Sequence, residues 1–312
     1  MKRQLAALLL TIFALSLTAC GETAAESETR TVYAMDTVMN LTVYGENAAA
    51  ALESAEKELH TLDEAVLSRT AEGSELYALN ASNGATVEYG ADDALPALIE
   101  TALTISDATD GAFDPTLAPV LDAWGFTKDE RRVPSADELK ELLSHTGCGK
   151  VVLEKTADGW TVTLLDGAQL DLGGIAKGYA SDRVAAIFAQ HNITSGTISL
   201  GGNVYVCGSK PNGQPWVVAI QDPRSDGYAV TVALTDSFAV TSGGYQRYYT
   251  APDGTVYQHI LDPKTGYPVE SDLLSVSILC DNGTMADAYS TALYVMGSAG
   301  RRPSGAPAAA SR

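Results

Sequence analysis

The segment Leu170-Asp171-Leu172-Gly173-Gly174-Ile175-Ala176-Lys177-Gly178-Tyr179-Ala180 joins a short apolar run to a double glycine, then opens a helical pattern with Lys177 in its first turn. Glycines let a backbone approach a ligand closely, and free N–H groups at a helix N-terminus favour phosphate. Lys177 adds a mobile positive charge. The spacing is neither G-x-x-x-x-G-K-[ST] nor G-x-G-x-x-G, so a packed strand–helix turn explains it equally well. Leu200-Gly201-Gly202-Asn203 repeats the double glycine after a second strand signal, where a bulge is the simpler reading. His259 lies between the strand signal Tyr257-Gln258 and a tight turn rich in Asp, Pro and Gly, a place open to a structural imidazole or to a proton acceptor. Asp287 and Thr291 stand four apart on the last helical stretch, with Ser290 between them, so a carboxylate and a hydroxyl could share one hard cation. An exposed polar face has the same spacing. Two ligands do not complete a Mg2+ shell; waters, phosphates or a backbone carbonyl must supply the rest. The sum fits phosphoryl chemistry on a nucleotide.

The elements that must position these residues are mixed. Val32 to Tyr44 alternates as a strand, and Glu46 to Leu67 and Asp92 to Ala108 have helical spacing. Ser135 and Glu138 form a capping box for a short helix, and residues 151–153 and 160–165 form a hairpin around Asp158-Gly159. From 170 to 300, short β-branched runs alternate with Gly- and Pro-rich turns, broken by helices at about 176–190 and 285–296. Without a strict βαβ beat, this predicts an α+β fold with largely antiparallel sheet and packed helices.

The chain has 312 residues, 46% hydrophobic and 19% charged, with mean hydropathy +0.01, which excludes both a disordered chain and a multi-span membrane protein. Its 20 Lys+Arg against 39 Asp+Glu give −19, which disfavours a nucleic-acid partner because no basic excess is there to release counterions. Lys2 and Arg3 precede a thirteen-residue apolar stretch, Leu5 to Leu17. As a helix it reaches about 20 Å, against a hydrocarbon core of roughly 30 Å, so it reads as an export signal rather than a span. Leu17-Thr18-Ala19-Cys20 resembles a bacterial lipoprotein cleavage site, which divides the chain into a signal peptide at 1–19, a lipidated Cys20 and a polar tether over 20–30. An ordinary signal with an incidental cysteine is the alternative. A chain starting at Cys20 keeps 18 basic and 39 acidic residues, or −21. Cys148, Cys207 and Cys280 are odd in number and far apart, which predicts small buried hydrophobes rather than disulfides or a zinc site. After Gly297 the composition turns to Arg, Pro, Ala and Ser, predicting a disordered tail over 298–312 of the kind a truncated or frame-shifted reading leaves.

Taken in order, many of these segments resemble the FAD:protein FMN transferases, the ApbE-type flavin transferases. The resemblance runs through Met35-Asp36-Thr37, Phe113-Asp114-Pro115-Thr116, Trp124-Gly125-Phe126, Asp171 to Ala180 and Gly201-Gly202-Asn203. It continues through Trp216, Ile220 to Pro223, Thr241 to Arg247, His259 to Pro268 and Ala286 to Leu293, and so covers 31–297 as one flavin transferase domain. It implies an ApbE/T-fold-like architecture. It also implies a Mg2+-dependent reaction in which FAD is split at its pyrophosphate, FMN is esterified to a Thr or Ser of an acceptor protein, and AMP leaves.

Carried over by position, the resemblance makes Asp287, Ser290 and Thr291, with the Gly174 carbonyl, the metal site. Met35, Thr70, Ala112, Phe113, Asp114, Asp171, Lys177 and Ile260 become FAD contacts, and His259 the proton acceptor. The acceptors implied are membrane redox subunits, met at the extracytoplasmic side of the cell membrane by a lipid-anchored enzyme carrying acyl chains such as palmitate. Asp36 stands where many members have Gly. Two other readings stay open: a metal-dependent FAD pyrophosphatase yielding FMN and AMP, and a non-catalytic flavin-binding lipoprotein.

Overall fold

The structure, a computed structural model, describes residues 26–126, 131–245, 247–300 and 308–311, so the signal, Cys20 and the start of the tether lie outside it. The stretch expected to be one strand is a hairpin, β1 (Ser27–Ala34) and β2 (Thr37–Tyr44), in register from Ser27↔Tyr44 to Ala34↔Thr37. Met35 and Asp36 form its two-residue turn, with φ of +50° and +54°, because only left-handed backbone there matches the strands' twist. Alternation alone cannot show a turn that lacks Gly or Asn.

Helix α1 (Ala48–His60) follows and passes into a π-helical turn at Thr61–Val66. A smaller unit comes next: α2 (Glu75–Asn80), β3 (Val87–Gly90), α3 (Ala94–Ala108), α4 (Ala118–Trp124), α5 (Ala136–Leu143), β4 (Val151–Lys155) and β5 (Gly159–Leu164). Ser135 Oγ accepts from the Glu138 N–H at 3.2 Å, but the Glu138 carboxylate pairs with Arg132, so the capping box is half made. The long helix α6 (Gly173–Gln190) leads into β6 (Ser195–Leu200), β7 (Asn203–Gly208), β8 (Trp216–Gln221), β9 (Tyr228–Leu234) and β10 (Ser237–Gly243). The short pair β11 (Tyr248–Thr250) and β12 (Val256–Gln258), then β13 (Ser275–Cys280) and α7 (Gly283–Met296), complete the domain.

The main sheet has the order β1-β2-β6-β7-β10-β13-β14, where β14 is Ala308–Ser311, and every pair in it is antiparallel. Helices α1, α6 and α7 cover its inner face, burying Met39, Leu41 and Ile198 against Leu52, Ile175, Val184 and Ala288. The β8–β9 hairpin covers part of the outer face through Val206, Val218 and Ala239. The α+β expectation is borne out, with sheet and helices mixed as composition suggested. Residues 308–311, within the tail expected without structure, pair with the edge of β13, where backbone hydrogen bonds are otherwise unmade; 301–307 and 312 lie outside the described residues. Cys207 is buried as expected, whereas Cys148 and Cys280 are half-buried, and all three thiols are free.

Because neighbouring strands alternate in direction, one end of this sheet collects the turn Met35-Asp36, the turn Gly201-Gly202, the end of β10 and the start of β13. Gly201 has φ +56°, and a Cβ there would come within 2.4 Å of Thr37 Oγ1, so the two turns interlock only through glycine.

Candidate active site

Helices α6 and α7 run antiparallel and meet at that end of the sheet. Gly178 makes their contact possible: a Cβ on it would lie 2.2 Å from the Gly283 carbonyl and 2.7 Å from Asp287 Cβ. Its N–H donates to Asp287 Oδ2 at 2.8 Å, a bond that competes with the regular helical one to the Gly174 carbonyl. Asp287 is buried, and its Oδ1 receives no hydrogen bond among the described residues. One turn on, a Cβ on Gly174 would sit 3.8 Å from Thr291 Oγ1 and 3.1 Å from Phe113 Cε2. Gly174, Thr291 and Phe113 therefore line one small space at the helix start.

Ser290 is fully buried and differently used. Its hydroxyl donates to the Asp287 carbonyl at 2.8 Å and lies 2.7 Å from Ser242 Oγ. Ser242, at the end of β10, also approaches Thr291 Oγ1 at 3.3 Å. It holds both hydroxyls from the strand on which α7 packs, and although it lies in the Thr241 to Arg247 segment of the resemblance, the sequence alone assigns it no role.

No three His, Cys, Asp or Glu side chains converge on a metal site among the described residues. The donors present are one open carboxylate oxygen, one half-buried hydroxyl and a helix-start carbonyl, all hard oxygens. That set fits Mg2+, which keeps several waters and leans on substrate phosphates, and would not suit zinc.

Asp171 is held from two sides. Its Oδ2 pairs with Arg69 Nε at 2.7 Å, and its Oδ1 accepts the Gly173 N–H at 2.8 Å, which starts α6 three residues earlier than the sequence pattern suggested. Arg69 also donates to Asp122 Oδ1 at 2.8 Å, and its guanidinium pKa is raised by those carboxylates against the cost of burial. Sequence reasoning missed Arg69, because its partner lies a hundred residues away and the loop between Leu67 and Glu75 carries no pattern. Thr70 follows Arg69 and is exposed, 3.4 Å from Ser68 Oγ.

Asp114 Oδ1 accepts from the Thr116 N–H at 2.8 Å and its hydroxyl at 2.6 Å, while the Pro115 carbonyl accepts the Asp171 N–H at 2.8 Å. Ala112 to Thr116 is thus a rigid turn lying against the start of α6. Ala112 packs on the core, and Phe113 is buried with its ring facing Gly174.

On the other side, the Arg247 carbonyl accepts both the His259 backbone N–H and its Nδ1–H, each at 3.1 Å, which leaves Nε2 free to take a proton. Burial pushes the His259 pKa down to about 4, and the nearby charges of Lys177 and Arg247 act the same way against that hydrogen bond. Arg247 Nη2 donates to the Asp36 carbonyl at 3.0 Å and so ties the Met35-Asp36 turn to the same corner. Lys177 Nζ reaches the Gly173 carbonyl at 3.4 Å. Ile260 is buried, and its carbonyl accepts from Val269 at 2.9 Å. The loop after it is fixed by Trp124, whose Nε1 donates to the Gly266 carbonyl at 2.7 Å and whose ring packs on Tyr257, Tyr267 and Phe126.

The predicted residues therefore gather as two groups on one rim: Gly174, Asp287, Thr291 and Phe113 around the helix crossing, and Lys177, His259 and Ile260 beside them. Met35 joins through the Asp36–Arg247 link. Asp114 and Asp171 have oxygens engaged within the protein, and Thr70 lies on the loop behind Arg69. A cavity of about 420 Å³ lined by Tyr245, Tyr257, Gln258, Tyr267 and Tyr294 lies off this group, and none of the predicted FAD contacts lines it.

Comparisons with known proteins agree with one another. A family model described as the ApbE family matches residues 35–303. A FAD:protein FMN transferase of Treponema pallidum is 36% identical over 296 residues, covering 89% of this chain and 81% of that protein. One from Escherichia coli K12 is 31% identical over 270 residues, covering 84% and 76%. Among solved structures, the ApbE protein of Thermotoga maritima superposes with a TM-score of 0.80 at 36% identity over 87% of each chain. The apo flavinyl transferase ApbE of Pseudomonas stutzeri gives 0.78 at 30% identity, over 90% of this chain and 88% of that one.

Proposed function

The chain belongs to the ApbE family, and on that premise we propose that it transfers the FMN moiety of FAD to a Thr or Ser hydroxyl of an acceptor protein. The bond between the two phosphates breaks, a new phosphoester forms on the acceptor oxygen, and AMP leaves with the bridging oxygen. The observation that carries this reading is the single rim on which a hard-oxygen donor set, a Lys–Arg pair and an imidazole with a free Nε2 meet.

Asp287 Oδ1, Thr291 Oγ1 and the Gly174 carbonyl would hold Mg2+, and Ser290 with Ser242 would fix their positions. The metal's contribution is to offset charge on the diphosphate and fix its geometry, the main demand of phosphoryl transfer. Lys177 places a positive charge beside the same space, and the glycines at 173 and 174 let the diphosphate approach the helix start. His259, oriented by the Arg247 carbonyl, accepts the proton of the incoming hydroxyl at Nε2.

The reading includes a lipid anchor at Cys20 on the extracytoplasmic face of the cell membrane, supported by the Leu17-Thr18-Ala19-Cys20 sequence. Membrane redox subunits are the acceptor class it favours.

The test is mass spectrometry of an acceptor fragment after incubation with FAD and Mg2+. A fragment gaining FMN on a Thr or Ser, with AMP released, is the expected result. Free FMN and AMP with an unmodified fragment would make the protein a pyrophosphatase instead. FAD binding with no product would leave a flavin-binding protein.

A further inference from the structure

Helix α7 is capped twice at its N-terminus. Asn282 Oδ1 accepts the Met285 N–H at 2.8 Å, which satisfies the helix in the ordinary way. Asp182, on α6, then adds three bonds of its own. Its Oδ1 accepts the Gly283 N–H at 2.8 Å, and its Oδ2 accepts the Thr284 N–H at 2.7 Å and the Thr284 hydroxyl at 2.5 Å. The two caps take different N–H groups of the same helix start, Asn282 that of Met285 and Asp182 those of Gly283 and Thr284. The second differs from the first in coming from the neighbouring helix.

The two helices touch at three levels: Asp182 with Gly283 and Thr284, Gly178 with Asp287, and Gly174 with Thr291. At the middle level the carboxylate is on α7 and the N–H on α6; at the first level the roles are exchanged. Such a reciprocal clasp resists sliding of one helix along the other, because any shift breaks bonds of both senses at once. Thr284 and Thr291 are seven residues apart, roughly 10 Å along the axis. A slip at the clasp is therefore passed undiminished to the Gly174–Thr291 end by a rigid helix. Burial pushes the Asp182 carboxyl pKa up, so the charge is held there at a cost that only its three donors offset.

We infer that Asp182 is a positioning residue: it fixes the register of α6 against α7 and thereby the spacing of the Gly174 carbonyl from Asp287 and Thr291. This rests on the proposed Mg2+ site. It assigns a role in metal affinity to a side chain that touches neither metal nor substrate.

The experiment titrates Mg2+ into the full chain with FAD, following flavin fluorescence, and records the Mg2+ concentration for half-maximal FAD binding together with the melting temperature. Wild type should show a saturable Mg2+ requirement; its absence overturns both this inference and the metal reading. In Asp182→Ala the half-maximal Mg2+ should rise at least tenfold, while FAD affinity at saturating Mg2+ stays within threefold. Thr284→Val, which removes one bond of three, should raise it about threefold and secures the test should the alanine variant not fold. Asn282→Ala removes the ordinary cap from the same helix end; it should lower the melting temperature and leave the Mg2+ requirement within twofold. A saturable wild type beside an unchanged requirement in Thr284→Val and Asp182→Ala, or an equal rise in Asn282→Ala, overturns the positioning role and leaves the metal reading standing.

Discussion

The imidazole of His259 stays neutral down to about pH 4, far below the 6.5 of a free histidine, because the rim strips water from it and sets Lys177 and Arg247 beside it. It is therefore always in the accepting form at physiological pH, but as a weaker base than a histidine of near-neutral pKa. The pH profile of kcat/KM for transfer, which reports the free enzyme, should keep its rate down to about pH 5 and show an acid limb near 4. A limb at 6.5 would remove His259 as the group observed. The same shift acts on stability. Between about 4 and 6.5 the unfolded chain binds a proton that the folded chain refuses, so stability falls as pH drops through that window and is untouched above it. Melting temperatures from pH 7 to 4.5 should fall less steeply in His259→Gln than in wild type. Asp287→Ala should lose at least a hundredfold in transfer, measured by acceptor mass, because it removes the one open carboxylate oxygen of the donor set.

At the scale of elements, the rim depends on two backbone arrangements that few sequences permit. Gly178→Ala would drive a methyl into the Gly283 carbonyl and should cost roughly 2–3 kcal/mol in urea denaturation, as overpacking does, with transfer lost as the helices part. Asp36→Gly is expected to act the other way. Asp36 holds φ +54° in the β1–β2 turn, and the bond from Arg247 goes to its backbone carbonyl, so glycine keeps that link and relieves about 1 kcal/mol of strain. A rise in urea midpoint with unchanged slope would show it.

These elements also explain what could be read in advance. Helical spacing exposed α3, α6 and α7, because their buried faces repeat within one segment. The pairing of Asp287 with Thr291 was visible because both lie on one helix. Arg69, Ser242 and Asp182 were not, since each acts on a residue fifty to a hundred positions away and a lone polar residue in a loop, strand or helix looks the same whether solvated or bonded. The early start of α6 was hidden for a different reason: Gly173 and Gly174 break the helical pattern, and the bond from the Gly173 N–H to Asp171 that starts the helix there lies just outside it.

For the whole molecule, the two helices, the loops at Met35-Asp36 and Ala112–Thr116 and the end of the sheet converge on the candidate site, so a ligand that bridges them should stabilise the whole domain. FAD at a hundredfold excess over its dissociation constant should add about 2.7 kcal/mol, worth roughly 5–10 °C in a domain of this size. The shift should require Mg2+, since the donor set alone presents only negative or neutral oxygens to an anionic diphosphate. A shift of equal size without the metal, read by differential scanning fluorimetry, would count against the site as drawn.

Strand β1 runs from Ser27, at the far end of the sheet, to the Met35-Asp36 turn on the rim of the candidate site. Eight residues of strand measure about 26 Å. If acyl chains at Cys20 hold the protein to a bilayer and the strand stands along the membrane normal, it would act as a standoff, lifting the proposed rim beyond the headgroup layer by its own length. Hydroxyls on loops that project into the aqueous space would then be within range, and those lying flush with the lipid surface would be passed over.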